Sequence, residues 1–325
     1  MTSPFEEFEV EEALRPSPRG LAYDLDEALA ALVVLHARIP ADAYTAKTLG
    51  PERLGNGIVI GNSGLVLTIG YLITEADEVT LITNEGRPVP AHVLGSDQVT
   101  GFGLVNALEP LGLPALPLGD SRRLESGDAI ILAGGGGLAH AMAGRVVARA
   151  PFAGYWEYLL EEALFTRPGH PHWSGGAVIG ASGALMGVCS LQMNQQTPDG
   201  RAPLINMSVP IELLPPILDD LSRGRLARPP RPWLGVLSQE VETSVVVRDV
   251  SASGPAARAG LRQGDVVLAV AGRSVTSLAE FYTALWALGS AGVVARLQLK
   301  RESDVFEVEV RTADRGSKLK KRRFN

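Results

Sequence analysis

Short apolar segments, each bordered by a turn-forming residue, recur along much of this chain. They lie at residues 57–60, 65–68, 79–82, 92–94, 103–105, 129–132, 144–147, 177–179 and 186–188, with Gly, Asn, Asp, Ser or Pro between them. The 36 glycines and 22 prolines are spread along the chain. Because glycine permits positive φ and proline presets turn geometry, this pattern favours short strands over long helices. It predicts a mainly β fold built from closed barrels or a sandwich.

A stretch rich in proline and arginine, residues 223–232, interrupts this pattern and predicts a domain boundary. Its three prolines remove backbone donors and restrict φ, so we expect a semi-rigid linker. A first domain would span 21–222 and a second 233–313. The acidic start (1–20) and the basic end (314–325) carry the charge runs of solvated tails, for which we expect disorder. The alternative for the basic end is contact with an anionic partner or membrane surface.

Composition argues against several classes of function. The net charge of −6 disfavours a nucleic-acid partner, because such proteins need a basic face. The only cysteine, Cys189, cannot form an intramolecular disulfide. The glycine run 134–137 does not stand between a strand and a helix, as a phosphate-binding loop must, so no cofactor is expected. No metal site is expected either, since His170 and His172 lack a third ligand nearby.

No apolar run approaches the roughly 20 residues that span a bilayer, so the sequence predicts no membrane span. As written, the chain also does not open with a basic segment followed by an apolar one, the pattern of a secretory signal. We therefore expect a cytoplasmic protein, or a periplasmic or otherwise extracytoplasmic one if a signal segment has been removed.

The second domain carries two motifs. Trp233, Leu234, Gly235 and Val236 follow the linker, and a Gly-Pro-Ala-Ala-Arg-Ala-Gly-Leu-Arg-Gln-Gly-Asp run begins at Gly254. Together they resemble the PDZ domains that follow HtrA and DegP proteases. The resemblance implies that the first motif presents backbone N–H groups to the C-terminal carboxylate of a peptide, while the next strand pairs with that peptide. The partners would be polypeptides or protein C-termini.

A predicted helix over residues 277–288 would form the other wall of this peptide groove. Its apolar residues at helical spacing are Leu278, Phe281, Tyr282, Leu285 and Leu288. A helix that both covers a core and borders a groove divides its apolar residues between the two. We expect about half of them to line the groove.

The first domain resembles the trypsin-like domain of the same family over residues 55–214. The matching motifs are the opening strand, the turn before the catalytic aspartate, the crossover between barrels, the nucleophile loop and the closing strand, at residues 55–60, 95–97, 117–121 with 127–128, 174–176 and 209–211. The resemblance implies a trypsin-like double six-stranded β-barrel. HtrA relatives often trimerise through their barrels, so a homotrimer is also an expectation.

Serine peptidases of this kind need a hydroxyl nucleophile, an imidazole base and a carboxylate that orients the imidazole. Matched to the family's motifs, Ser174 keeps the nucleophile position, but Tyr71 stands at the histidine and Gly101 at the aspartate. His172 replaces the glycine whose N–H helps to form the oxyanion hole. A tyrosine, with an ordinary pKa of about 10, is a poor base at neutral pH, and a serine without its base loses roughly 10⁴ to 10⁶ in rate. The pattern predicts a degenerate triad.

Three functions remain open on these residues. The first is an inactive HtrA-like homologue that binds polypeptides as an adaptor, chaperone-like subunit or scaffold. The second is an active serine endopeptidase in which Ser174 uses an unconventional base, such as His170 or His172. The third is a partner subunit in the oligomer of an active HtrA protein. A further histidine, His140, is expected in a loop far from the cleft.

Overall fold

A computed structural model describes residues 9–61, 63–195, 200 and 202–320 of the chain. The chain divides into two compact units. Unit 1 contains residues 1–150, 162–227 and 320–325, and unit 2 contains residues 151–161 and 228–319. Unit 2 thus includes a segment, 151–161, that its place in the chain had assigned to the first domain. Within unit 2 this segment is hydrogen-bonded to Leu234 N through Glu157 and to the Tyr282 hydroxyl through Gly154 O.

Six antiparallel strands form the first closed barrel of unit 1. They are β1 (Leu32–Arg38), β2 (Glu52–Gly61), β3 (Leu65–Ile69), β4 (Glu78–Ile82), β5 (Pro88–Ser96) and β6 (Phe102–Ala107), in the order β1-β2-β3-β6-β5-β4. Three short helices accompany them: α1 (Leu25–Ala30), α2 (Ala46–Leu49) and α3 (Gly70–Ile73). Leu35, Leu81 and Val105 fill the interior and are fully buried, because one face of each barrel strand turns inward.

The second closed barrel follows in the same unit. Its strands are β7 (Ala129–Ala133), β8 (Ala141–Gly154), β9 (Tyr158–Arg167), β10 (Ala177–Ile179), β11 (Leu185–Asn194) and β12 (Leu204–Pro210), in the order β10-β11-β12-β9-β8-β7. Leu132, Leu164 and Val178 lie in its core. A helix, α4 (Pro215–Ser222), follows the barrel. The loop between β9 and β10 carries Ser174, so the fold places this serine on a turn between two barrel strands.

The rest of unit 2 is a smaller sheet with two helices. Its elements are β13 (Val236–Val241), β14 (Ser244–Val250), α5 (Pro255–Arg258), β15 (Val266–Val270), β16 (Arg273–Ser274), α6 (Leu278–Trp286), β17 (Val294–Arg301) and β18 (Asp304–Arg311). The main sheet has the order β13-β14-β15-β17-β18, with β16 paired to β15, so β13 is an edge strand. The side chain of Ser277 accepts a hydrogen bond from Glu280 N and caps α6.

These elements confirm the predicted fold class: mainly β, with two six-stranded barrels followed by an α+β unit. The helix α6 falls within the predicted helical stretch 277–288. Among the residues that the structure describes, no helix is both long and apolar enough to cross a membrane.

The two chain ends differ from the expectation of solvated, disordered tails wherever the structure describes them. Val10 is 3% exposed, packs in the second barrel's core and donates its N–H to Ala139 O. At the other end, Asp314 caps a 3₁₀ turn over Arg315–Lys318, and Lys320 N donates to a Glu75 carboxylate oxygen at 2.7 Å. Buried apolar area and charge-assisted bonds order these segments despite their charged composition. Residues 1–8 and 321–325 lie outside the described residues.

Candidate functional site

The serine loop, residues 168–176, is attached to the first barrel by one buried amide. Asn56 Nδ2 donates to His172 O at 2.8 Å and to Ser174 O at 3.0 Å, while its Oδ1 accepts from Gly135 N at 2.9 Å. Asn56 N also donates to Ser174 O at 2.8 Å. Because Asn56 is only 1% exposed, these bonds have no competition from water. They hold the backbone on both sides of Trp173 against β2.

Gly175 follows the serine, and the backbone geometry at this position leaves no room for any other residue. Its φ is +76°, and a Cβ at this position would overlap the carbonyl oxygen of Asn56. Gly175 N donates to Cys189 O at 2.9 Å, which joins the turn to β11. The turn that presents Ser174 is therefore rigid and tightly enclosed.

Tyr71, on α3, occupies the position next to the serine that the sequence comparison gave to the base. Its hydroxyl lies 2.7 Å from Ser174 Oγ and donates to Ser190 O at 2.9 Å. A carbonyl oxygen can only accept, so the Tyr71 proton lies on that bond and the Ser174 hydroxyl donates to the Tyr71 oxygen. Although the residue is partly exposed, desolvation raises the pKa of Tyr71 well above its usual range. The phenol stays protonated at neutral pH.

Gly101 closes a turn before β6 and contributes only backbone. Its φ is +86°, its N–H donates to Asp97 O at 2.8 Å, and its carbonyl accepts from Gly70 N at 2.7 Å. The nearby carboxylate of Asp97 accepts from Thr100 N at 2.8 Å and so belongs to the same turn. Gly101 thus allows a tight turn before β6, and its carbonyl oxygen binds the first N–H of α3.

The loop histidines are bound to each other. His170 is 1% exposed; its Nε2 lies 3.0 Å from His140 O, and its Nδ1 accepts from His172 N at 3.0 Å. This pattern defines the neutral tautomer with the proton on Nε2. Burial, the main cause, lowers the pKa of His170 to about 4. The N–H of His172, which the sequence predicts for the oxyanion hole, is thus donated to an imidazole.

The expectation that His140 lies far from the cleft was wrong. It is 4% exposed, at the end of a 3₁₀ turn, and its ring centroid lies 5.8 Å from that of His172 in the serine loop. Strand β8 begins directly after it, so barrel closure brings it to this loop. Among the described residues, no group of three or more His, Cys, Asp or Glu side chains is arranged to hold a metal ion.

A second network, which the sequence did not indicate, supports the helix that carries Tyr71. Arg53 donates to the carbonyl oxygen of Tyr71 and, at 3.0 Å, to that of Thr74. It also donates to Thr45 Oγ1 at 2.7 Å. Glu75 accepts from the backbone of Tyr44, Thr45 and Lys320 and from Thr45 Oγ1. Burial alone would raise the pKa of Glu75, but these bonds outweigh it and the net pKa is lowered. The network fixes α3 from the side opposite its N-terminus.

The carboxylate loop, residues 233–236, directs three backbone N–H groups at one carboxylate. Leu234 N donates at 2.9 Å, Gly235 N at 2.7 Å and Val236 N at 3.0 Å, all to the side chain of Glu157. Gly235 has a φ of +81°, which turns successive N–H groups to the same side. The loop is therefore built to hold a carboxyl group, and in this structure that group belongs to a side chain of the same unit.

The α6 residues proposed for the groove wall are all buried. Leu278 is 6% exposed, and Phe281, Tyr282 and Leu285 are fully buried in the core cluster of unit 2. Tyr282 is the one among these four with a polar side chain, and its hydroxyl donates to Gly154 O at 2.8 Å. Tyr282 thus faces segment 151–161, whereas Leu288, two residues beyond the end of α6, is partly buried against the core.

Comparison with known proteins agrees with this architecture. The family model of a trypsin-like peptidase domain matches residues 55–188, and that of a PDZ domain matches residues 232–312. A probable periplasmic serine endoprotease, DegP-like, from Halomonas elongata is 29% identical over 241 residues, 69% of this chain and 49% of that protein. The serine endoprotease DegS of Escherichia coli K12 is 27% identical over 246 residues, 70% of this chain and 67% of DegS. The chain thus spans about half the length of the DegP-like relative.

Solved structures share the fold. The HtrA-type protease AlgW with a decapeptide superposes with a TM-score of 0.55 at 20% identity, covering 90% of this chain and 97% of that one. The serine endoprotease from Yersinia pestis gives a TM-score of 0.52 at 24% identity, covering 89% and 95%. The class is therefore a trypsin-like peptidase domain followed by a PDZ domain. Within that class the chain is an HtrA-like serine protease homologue with a C-terminal PDZ domain.

Proposed function

We propose that this chain is a peptidase homologue without peptidase activity, which binds polypeptides through its PDZ groove and former substrate cleft as an adaptor, chaperone-like subunit or scaffold. The hydrogen-bond chain from Ser174 through Tyr71 to Ser190 O carries this proposal. Because Tyr71 donates its own proton to a carbonyl, Ser174 donates to Tyr71 and keeps its hydroxyl proton. A serine hydroxyl without a base to take its proton is a weak nucleophile.

Two further observations support inactivity. The N–H of His172 is donated to His170, so it does not point at a developing oxyanion. Gly101 supplies no carboxylate to orient a base. The rival function, catalysis with an unconventional base, lacks a candidate in His170, because both of its ring nitrogens are engaged and its pKa is lowered to about 4.

The ligand class follows from the carboxylate loop. Three convergent N–H groups, from Leu234, Gly235 and Val236, suit a carboxylate, and the position of β13 at the edge of the sheet suits pairing with an extended peptide. The decapeptide bound to AlgW supports polypeptides as that class. The HtrA likeness supports a homo-oligomer, such as a trimer, or a hetero-oligomer with an active HtrA protein. The name of the DegP-like relative supports a periplasmic location.

The test is cleavage of casein at neutral pH by the wild-type chain and by Ser174→Ala, with a fluorophosphonate probe in parallel and an active trypsin-type peptidase as positive control. We expect neither form to cleave or to be labelled. Cleavage or labelling by the wild type that Ser174→Ala lacks would show an active peptidase and refute the proposal.

The variant Tyr71→Phe tests whether the Tyr71 hydroxyl takes part in catalysis or only in hydrogen bonding. Loss of the hydroxyl leaves Ser174 Oγ and Ser190 O without this partner, which should reduce the free energy of unfolding by about 1–2 kcal/mol. We expect no change in fluorophosphonate labelling, which should stay at background. If the wild type reacts and Tyr71→Phe does not, Tyr71 acts as the base.

A further inference from the structure

The carboxylate of Glu157 is placed where a peptide terminus would be needed. Its Oε1 accepts from Gly235 N and Val236 N, its Oε2 accepts from Leu234 N, and the residue is only 9% exposed. The backbone of Glu157 has a φ of +60°, an uncommon conformation for a glutamate that costs on the order of 1 kcal/mol. The turn between β8 and β9 thus adopts a strained form in which this side chain reaches the loop.

The backbone before Glu157 is also bound as a peptide would be. Tyr155 O accepts from Ser238 N, on the edge strand β13, at 2.8 Å. This bond lies two residues before the bound carboxylate, so the segment pairs with the sheet edge while its end enters the carboxylate loop. A peptide that augments a sheet edge uses the same two kinds of contact.

Side chains complete the fit of this segment. Ala153 and Leu159 pack against the core cluster of unit 2. The Tyr282 hydroxyl donates to Gly154 O and accepts from Glu157 N at 3.3 Å, so α6 contacts the segment from the other side. Trp156 stacks on Tyr158 with ring centroids 5.6 Å apart, which stiffens the turn.

We propose that residues 151–161, the tip of the β8–β9 hairpin, are an internal ligand of the PDZ groove, and that a peptide with a free C-terminal carboxylate binds only by displacing them. This inference rests on the proposed function insofar as it names the groove as a peptide site. The side-chain carboxylate of Glu157 replaces the terminal carboxylate, and Tyr155 replaces the residue that pairs with β13. The groove is closed to weak ligands and opens to those that outcompete a tethered segment.

The tether sets the size of the effect. A segment held by a short connection has an effective concentration of roughly millimolar. The apparent affinity of a competing peptide is its intrinsic affinity multiplied by the fraction of time that the groove is free, so a well-bound segment weakens peptide binding. We expect Glu157→Ala to bind a peptide about tenfold or more tightly than the wild type. Glu157→Gln keeps the shape of the side chain and serves as a second variant, and Glu161→Gln, an exposed position of the same segment, is the matched control.

The first measurement is hydrogen exchange in the full chain without any peptide. If the segment occupies the groove, the amides of Leu234, Gly235, Val236 and Ser238 exchange slowly in the wild type and in Glu161→Gln, and faster in both Glu157 variants. Equal exchange in all four proteins would overturn the internal ligand. Thermal unfolding of each variant shows that the sheet itself is intact.

The second measurement is fluorescence anisotropy with a labelled peptide of residues 151–156, carrying a free carboxylate at its C-terminal end, and with its C-terminal amide. Tighter binding of the acid to Glu157→Ala than to the wild type, with little binding of the amide, supports competition. Equal affinity for both proteins overturns it. Binding by neither protein, together with faster exchange in Glu157→Ala, refutes the peptide-binding function and leaves the internal ligand standing.

Discussion

The serine loop and the carboxylate loop both have their functional groups engaged by the chain itself, but by elements of different stiffness. At the serine loop the partners are Tyr71 and His170, which lie on a helix and a buried loop within a barrel. At the carboxylate loop the partner is Glu157, at a hairpin tip where Tyr155 is 56% exposed. Partners held by a core are not released without unfolding, whereas a hairpin tip can detach locally. We therefore expect the first site to stay closed in the folded chain and the second to open reversibly.

The largest effect expected from this contrast concerns the glycines of the two loops. Gly175→Ala combines a positive φ with an overlap against Asn56 O, so we expect a loss of about 3 kcal/mol or more in the free energy of unfolding. Gly235→Ala has a similar φ, but its Cβ would meet Trp233 and Gly254 at 3.1 and 3.2 Å, and a loss of about 1–2 kcal/mol is expected. Urea unfolding measures both. Equal losses would mean that the serine loop is no stiffer than the carboxylate loop.

Asn56→Asp tests the attachment of the serine loop alone. It replaces the amide donor to His172 O and Ser174 O with an acceptor, so a carboxylate would face two buried carbonyls. We expect a loss of about 2–4 kcal/mol, measured by urea unfolding. Asn106→Asp, which loses one half-buried bond to Ala107 O, is the control and should cost below about 1 kcal/mol. A small effect of Asn56→Asp would contradict the described role of this amide.

The smallest effect is a pH dependence of the groove. Burial, opposed by the three N–H bonds, raises the pKa of Glu157 to about 7 from an ordinary 4.5. Arg315, whose charge lowers this pKa, and Tyr282 are the other ionisable groups facing it. Glu157 therefore binds a proton more tightly when it occupies the carboxylate loop (the docked state) than when it is in solvent (the open state). Docking is strongest below about pH 4.5 and weakens as the pH rises through 7.

A peptide carboxylate is ionised throughout this range, so the acid peptide should bind the wild type up to about tenfold more tightly at pH 8 than at pH 6. Glu157→Gln should lose this dependence. Anisotropy titrations at the two pH values measure it. Weaker peptide binding by the wild type at pH 8 than at pH 6, or the same change of affinity with pH in both proteins, would show that Glu157 does not control peptide access to the groove.

Much of the protein could be predicted from local pattern. The apolar segments predicted most of the barrel strands, and the match to the family's histidine motif led to Tyr71, whose hydroxyl lies 2.7 Å from that of Ser174. The buried amide of Asn56 was visible only as part of a strand motif. His140 was misjudged, because the sequence does not tell which loop a neighbouring turn meets when a barrel closes. An acidic residue in an aromatic-rich hairpin, such as Glu157, carries no local signal of its target.

The sequence by itself determined the mainly β fold class, most of the barrel strands and the likeness to HtrA proteins, because turn chemistry and short motifs are local properties. Only the tertiary structure decided what those residues contact. Asn56 and His172 are 116 residues apart, and Glu157 and Gly235 are 78 apart. Hydrogen bonds between such distant positions depend on how barrels and sheets close. In each of these two bonds one partner is a backbone group, the carbonyl of His172 or the N–H of Gly235, which no side-chain pattern encodes.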